Sequence, residues 1–214
     1  LAMDGVQPSP VSQPDIAGAI PRNAIRDALQ SANFWLIVTG STLVVGAIGT
    51  VIQHFILFLN DKGYTSTKAS HFSTLLLASS LLGRVVVGYL ADRFSKKNTM
   101  ALFYFLIGAS ILMLAFSQAS SSIVMFAVTF GFSMGADYML IPLVTAECFG
   151  TASLGKLLAL VIMGYSLGQW GAPWIAGKIF DTQHSYVLAW KIMAVAAVAG
   201  AMAIYAIRPR SGEI

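Results

Sequence analysis

The chain has 214 residues, of which 57% are hydrophobic and only 10% charged, where soluble domains carry about a quarter charged; with a mean hydropathy of +0.74 this excludes a soluble globular domain. The net charge of +4 would suit a nucleic-acid binder, but the cations fall in short loops between apolar runs, where they set topology, so no nucleic-acid partner is expected. A single cysteine, Cys148, excludes an internal disulfide, and His54, His71 and His184 lack metal-ligand spacing, so neither a metal nor another cofactor is expected.

Residues 1–20 combine Pro8, Pro10 and Pro14 with Gly5 and Gly18 among small polar residues. This is the composition of a flexible linker and not of a signal peptide, and it reads as a start inside a longer protein. From Pro21 to Asn33, Arg22, Asn23, Arg26, Asp27 and Gln30 alternate with Ala24, Ile25, Ala28 and Leu29, which predicts a short amphipathic helix on the membrane surface. Residues 1–33 are thus a loop region ahead of the membrane domain, 34–207, and 208–214 are a tail.

Within 34–207 the apolar runs predict six crossings of a ~30 Å hydrocarbon core, at 34–59, 70–91, 99–117, 122–146, 156–180 and 187–207. With the start placed inside, Arg22, Arg26, Arg93, Lys96, Lys97, Lys156, Arg208 and Arg210 are cytoplasmic and Lys62, Lys68, Lys178 and Lys191 are outside, so both ends are expected in the cytoplasm. Trp35, Tyr64, Trp174 and Trp190 fall near crossing ends, where amphipathic rings suit the headgroup layer. Gly88-x3-Asp92 closes the second crossing and Gly177-x3-Asp181 the fifth. A three-helix unit therefore repeats, and an odd number of spans between copies turns the second upside down, as in secondary transporters.

Ionisable residues inside apolar helices are functional candidates by default. Arg84 lies eight residues before Asp92, ~12 Å from the helix end and near the midplane. Ser73, Leu77, Ser80 and Arg84 share helical spacing, which predicts one cavity-lining face on which a planar guanidinium receives a carboxylate. Asp137, ten residues before Glu147, lies at similar depth, ~15 Å from its helix end. If the two meet, a substrate carboxylate competes with Asp137 for Arg84 and a proton neutralises Asp137 when the anion is bound; the bland alternative is a static buried pair. Gln53 and His54, with Gly46 and Thr50, form a polar stripe on the first crossing, and Tyr165, Ser166 and Gln169 form one on the fifth. Gln53, Tyr165 and Gln169 are candidate substrate contacts, and His54 is a second proton-carrying candidate whose alternative is a packing residue. Gly131-x3-Gly135 and Gly164-x3-Gly168 permit close helix approach. Gly131-x-Ser133-x-Gly135 also matches a nucleophile elbow, which needs a strand-turn-helix and a histidine partner; inside an apolar helix it gives no enzyme.

The run Gly88-Tyr-Leu-Ala-Asp92-Arg93-Phe-Ser95-Lys96-Lys97 resembles the G-x3-D-[RK]-x-G-[RK]-[RK] signature of the major facilitator superfamily in its second-half copy, with Ser95 replacing the usual glycine. Gly131-x3-Gly135-Ala-Asp137 through Glu147-x-Phe149-Gly150, and Gly171-Ala-Pro173-x3-Gly177-x3-Asp181-x4-Tyr186, look like helices 10 to 12 of bacterial members near the monocarboxylate and oxalate:formate porters. The resemblance implies an all-α membrane protein, the six carboxyl-terminal helices of a twelve-helix transporter in a 3+3 inverted repeat. Its partners would be an amino-terminal six-helix half, a small organic anion and membrane lipid, and its setting a bacterial inner membrane. It makes Arg84 a recurrent anion contact, places Ser80 where monocarboxylate porters often carry a proton-coupling aspartate, and disfavours a dianion because the fifth crossing has no central lysine. It also makes Gly88, Asp92, Arg93, Lys96, Lys97 and Glu147 a cytoplasmic gate, with Asp92 capping a helix of the other half and Arg93, Lys96 or Lys97 pairing with Glu147. The competing readings are a porter for a neutral or cationic solute, with Arg84 and Asp137 locked together, and a non-transporting scaffold or sensor built on the half fold.

Overall fold

A computed structural model describes residues 24–117 and 119–208; the linker 1–20, Pro21, Arg22, Asn23 and the tail residues 209–214, with Arg210, lie outside the described residues. The short helix α1, Ala24–Gln30, is followed by α2, Ala32–Asp61; α3, Ser66–Arg93; α4, Lys96–Ala115; α5, Ser120–Phe149; α6, Leu154–Gln183; and α7, Val187–Tyr205. Each of the six expected crossings contains one long helix, and the helices overrun the apolar runs by a turn at several ends. Ser31 caps α2 by accepting from the Phe34 N–H, and Thr65 caps α3 by accepting from the Lys68 N–H. Gly150 ends α5 with φ of 76°, a left-handed position that suits glycine.

The second three helices repeat the first. α5, α6 and α7 begin 88, 88 and 91 residues after α2, α3 and α4 (120 − 32, 154 − 66, 187 − 96). Packing follows the same two-fold logic. α2 lies along α6 as α3 lies along α5, α4 packs on α5 as α7 packs on α2, and α4 and α7 pair with each other. Consecutive helices scarcely touch within α2–α3 or α5–α6, so tertiary structure is made between the repeats.

The α3–α5 seam is drawn tight by glycine. A Cβ added at Gly83 would fall on the Phe132 carbonyl oxygen, one at Gly131 on that of Leu76, and one at Gly135 on that of Ser80. In the copy of this seam, a Cβ at Gly168 would fall on the Thr42 carbonyl oxygen, and one at Gly46 would lie 3.0 Å from the Gly168 oxygen. With no water to drive helices together in lipid, such close backbone contact is a principal source of association. The bundle core is filled by Tyr104, Phe126, Phe130 and Trp190 with aliphatic residues around them. Trp190, expected in the headgroup layer, is instead fully buried between Phe58 and Tyr186, with ring centroids 5.6 Å from each.

Five of the long helices are long and apolar enough to cross a membrane by length and composition; α6 is the long helix outside that set. Its middle carries Tyr165, Ser166, Gly168, Gln169, Gly171 and Pro173, and it buries only Leu157, Val161, Pro173 and Ala176 in the bundle. Its uncovered side chains mix these polar groups with exposed Met163, Leu167, Trp170 and Trp174, and polar groups at membrane depth call for water or protein beside them. That face holds the candidate site.

Candidate functional site

The α6 helix acts as a ladder on which polar side chains from α5 and α2 are arranged. Tyr165 sits near Asp137 and Tyr138 of α5. One turn on, half-buried Gln169 packs over Gly49 of α2, where an added Cβ would lie 3.2 Å from its Cδ. Another turn on, the Pro173 carbonyl accepts a 3.1 Å hydrogen bond from His54 Nε2–H. A carbonyl can only accept, so this bond places the proton of neutral His54 on Nε2 and leaves Nδ1 to accept from the Tyr186 hydroxyl at 3.2 Å. Burial, then the Asp61 and Asp181 carboxylates, raise the Tyr186 phenol above the ordinary tyrosine value, so it remains a donor. Beyond His54 the ladder opens into a cavity of about 400 Å³ walled by Gln53, Trp170, Trp174, Lys178 and Asp181.

Arg84 projects from α3 onto the open side of the bundle, with its guanidinium carbon 5.5 Å from the centre of the Tyr138 ring. Both side chains are exposed. A guanidinium over an aromatic face is held by the ring quadrupole while its N–H edge stays available. Asp137 takes the opposite course. It is 4% exposed, and its Oδ1 accepts a 2.6 Å hydrogen bond from Tyr104 of α4. Ser41 Oγ of α2 lies 3.4 Å from the same Tyr104 oxygen. One carboxyl thus ties α5 to α4, and through them to α2, in the middle of the core.

The expected meeting of Arg84 with Asp137 does not occur: among the described residues, Arg84 stacks on Tyr138 and Asp137 is taken by Tyr104. Depth alone brings the two level, but successive helical residues diverge by about 100° around the axis. Tyr138 therefore faces Arg84 while Asp137 faces inward. The expected cavity face of α3 also divides. Leu77 and Arg84 are exposed, whereas Ser80 is 3% exposed, its hydroxyl donates to the Leu77 carbonyl at 2.7 Å, and its backbone abuts Gly135. Ser80 is a seam residue and not a cavity contact. On α2, Gly46 and Thr50 are likewise buried, with the Thr50 hydroxyl on the Gly46 carbonyl, while Gln53 is exposed and His54 half-buried. Ser133, at the elbow-like pattern, is buried with its hydroxyl donating to the Thr129 carbonyl.

At the end of the bundle holding the signature run, Asp92, Arg93 and Glu147 are exposed and Gly88, Lys96 and Lys97 are half-buried. The expected pairing with Glu147 is absent among the described residues. Arg93 lies over Tyr89 at 4.9 Å, and Lys97 Nζ donates to the Tyr205 and Ile207 carbonyls at 3.1 and 2.8 Å. The last carbonyls of a helix have no intrahelical donors, and a lysine reaching them is favoured by the helix dipole as well. Sequence reasoning missed Tyr104, Tyr138 and Tyr186. Tyr138 adjoins Asp137 and was within reach of a helical-wheel argument, but Tyr104 sits in an apolar run whose inward face nothing in the sequence marks.

The profile of the Major Facilitator Superfamily matches residues 34–213, and also 5–136. Human Monocarboxylate transporter 12 is 30% identical over 166 residues, which cover 76% of this chain and 32% of that protein. The rat protein of the same name is 32% identical over 174 residues, covering 79% and 36%. MFS transporter asaE of Aspergillus flavus is 27% identical over 149 residues, covering 69% and 34%. Among solved structures, the E. coli fucose:proton symporter FucP superposes with a TM-score of 0.69 at 17% identity, over 85% of this chain and 44% of that one. The proton:xylose symporter XylE gives 0.63 at 18%, over 83% and 44%; at these identities the likeness is one of fold. The chain spans about a third of the length of these curated relatives and under half of the solved chains. These sequence relatives are animal and fungal, which lends no support to the bacterial setting expected above.

Proposed function

Since this multi-pass membrane chain belongs to the major facilitator superfamily, we propose that it forms one six-helix half of a secondary transporter that moves a small organic anion, a monocarboxylate, by alternating access against a second half. The observation that carries the reading is Arg84: a permanent cation well inside the bundle's length, exposed on the open face, stacked on Tyr138 and free of a carboxylate partner among the described residues. Such a group in a membrane is costly unless water or a ligand answers it, and its fork suits a carboxylate. Tyr165, near Tyr138, and Gln169, over Gly49, offer neutral hydrogen-bonding groups, and a site with one fixed cation favours a monoanion. The names of the human and rat relatives support the same substrate class.

The locked Arg84–Asp137 pair required by a neutral-solute porter is not the arrangement found, which counts against that alternative. Asp137 and His54 are the proposed proton carriers. Asp137 is buried with one hydroxyl donor, so protonation would free Tyr104 to turn to Ser41 and loosen the α4–α5 tie.

The experiment is uptake of a radiolabelled carboxylate panel, with and without a pH gradient, into vesicles containing this chain joined to its other six-helix half. Saturable uptake of one acid, lost in Arg84→Gln, supports the reading. No uptake of any acid by folded, inserted protein would move the assignment to a neutral solute. Loss of one charge-assisted contact of about 1.5–3 kcal/mol corresponds to a roughly 10- to 150-fold weaker binding.

A further inference from the structure

On the far side of the bundle from α6, helices α4 and α7 run antiparallel and touch at Gly108, where an added Cβ would lie 2.8 Å from Val198 Cγ2. From there toward the start of α4 a groove of about 580 Å³ opens between them. Its floor is the small, buried pair Ala101 and Ala201, and its walls are the exposed side chains of Leu102, Phe105, Met202 and Tyr205. Two alanines opposite one another remove the side chains that would otherwise close the helix pair, so the groove is built into the sequence.

The mouth of the groove, at Asn98 and Tyr205, is cationic. Lys97 is held there by two carbonyls and by the Tyr205 ring, 5.3 Å from its Nζ. An ammonium has three donors, so one N–H remains, on a charge that cannot swing away. Lys96 precedes it, and Arg208 directly follows Ile207, whose carbonyl Lys97 holds; the Arg208 backbone is pinned to Asn33 while its side chain is exposed. Asp27, Asp92 and Glu147 are the acids near this end; all three are exposed, and none forms an ion pair with Lys96, Lys97 or Arg208 among the described residues. We propose that this groove is a binding site for an anionic glycerophospholipid, one acyl chain lying between α4 and α7 and the headgroup phosphate resting on Lys97, Lys96 and Arg208. Any acyl chain would cover the walls. Three cations at the mouth, at headgroup height, select the anionic lipid, as basic pockets between membrane helices do.

The test is native mass spectrometry of the intact detergent-extracted transporter titrated with dioleoyl phosphatidylglycerol or dioleoyl phosphatidylcholine. Phosphatidylglycerol should bind preferentially, and each of Lys96→Gln, Lys97→Gln and Arg208→Gln should weaken it roughly fivefold while leaving phosphatidylcholine unchanged. Met202→Trp, which fills the groove, should reduce both lipids alike. Lys97 also holds the end of α7, so if Lys97→Gln fails to fold, the double variant Lys96→Gln/Arg208→Gln decides. Equal binding of the two lipids by the unmodified protein, or an anionic preference that survives the double variant, would overturn the proposal. So would displacement of phosphatidylglycerol by equimolar glycerol phosphate, since the groove would then contribute nothing.

Discussion

The α3–α5 seam and its repeat, the α2–α6 seam, are one packing arrangement executed with different residues. In the first, glycines stand on both helices, Gly83 on one side and Gly131 and Gly135 on the other, each against a carbonyl oxygen. In the second, the close backbone approach rests on Gly168 against Thr42, while Gly164 meets the Val38 side chain at 2.6 Å and Gly46 has more room. What the repeat preserves is a close backbone approach, while of the glycines that make it only Gly46 and Gly135 stand at matching positions, 89 residues apart (135 − 46). The rims differ more sharply still. The first carries the charge, Arg84 over Tyr138; the second carries neutral groups, Gln169 over Gly49 and His54 on the Pro173 carbonyl. A symmetric scaffold thus presents an asymmetric open face, with its cation on one side only.

The comparison can be broken hardest at the seams. Gly135→Ala and Gly83→Ala drive a methyl into a backbone carbonyl that no rotamer change can relieve, so each should destabilise by about 3 kcal/mol or more, the upper range for overpacking. Gly168→Ala should do likewise and Gly46→Ala clearly less, an order that thermal unfolding in detergent would reveal. Equal tolerance at Gly46 and Gly135 would mean that the two seams are not set by backbone distance. Next in size is Tyr104→Phe, which strips Asp137 of its donor and leaves a buried carboxyl unpartnered, at about 1–3 kcal/mol. The same measurement checks it, and Ser41→Ala should cost less. His54→Ala removes two hydrogen bonds joining α2 to α6 and to the start of α7, and about 1–2 kcal/mol is expected. The smallest effect belongs to Gly88→Ala. Its Cβ would meet only Met139 Cε at 3.8 Å, so this chain should stay folded, and any loss of transport would then place the role of Gly88 in the gate with the other half.

The six long helices and the repeat were legible because twenty-residue apolar runs and a fixed offset between Gly-x3-Asp pairs are one-dimensional signals. Depth was legible as well, since counting residues from a helix end gives height in the membrane. Azimuth was not. Ser80 and Arg84 share helical spacing and both meet Gly135 of the neighbouring helix by their backbones, yet the Ser80 side chain is buried in the seam and that of Arg84 is exposed outside it. Asp137 and Tyr138 are adjacent in sequence and look in different directions. Lys97, one of three cations expected to pair with Glu147, is held by carbonyls at the end of α7, a demand created by the end of a helix and invisible as a charge pattern.

We propose that the two ionisable residues do separate work, Arg84 meeting the anion and Asp137 holding the core and carrying the proton. The most direct test is the affinity for the acid proposed as substrate, measured side by side in Arg84→Gln and Asp137→Asn together with the pH profile of uptake. The structure predicts that Arg84→Gln remains folded and loses anion binding by at least roughly tenfold, while Asp137→Asn still binds the anion and loses its pH dependence. Full affinity in Arg84→Gln, or loss of binding in Asp137→Asn with the pH profile intact, would contradict it.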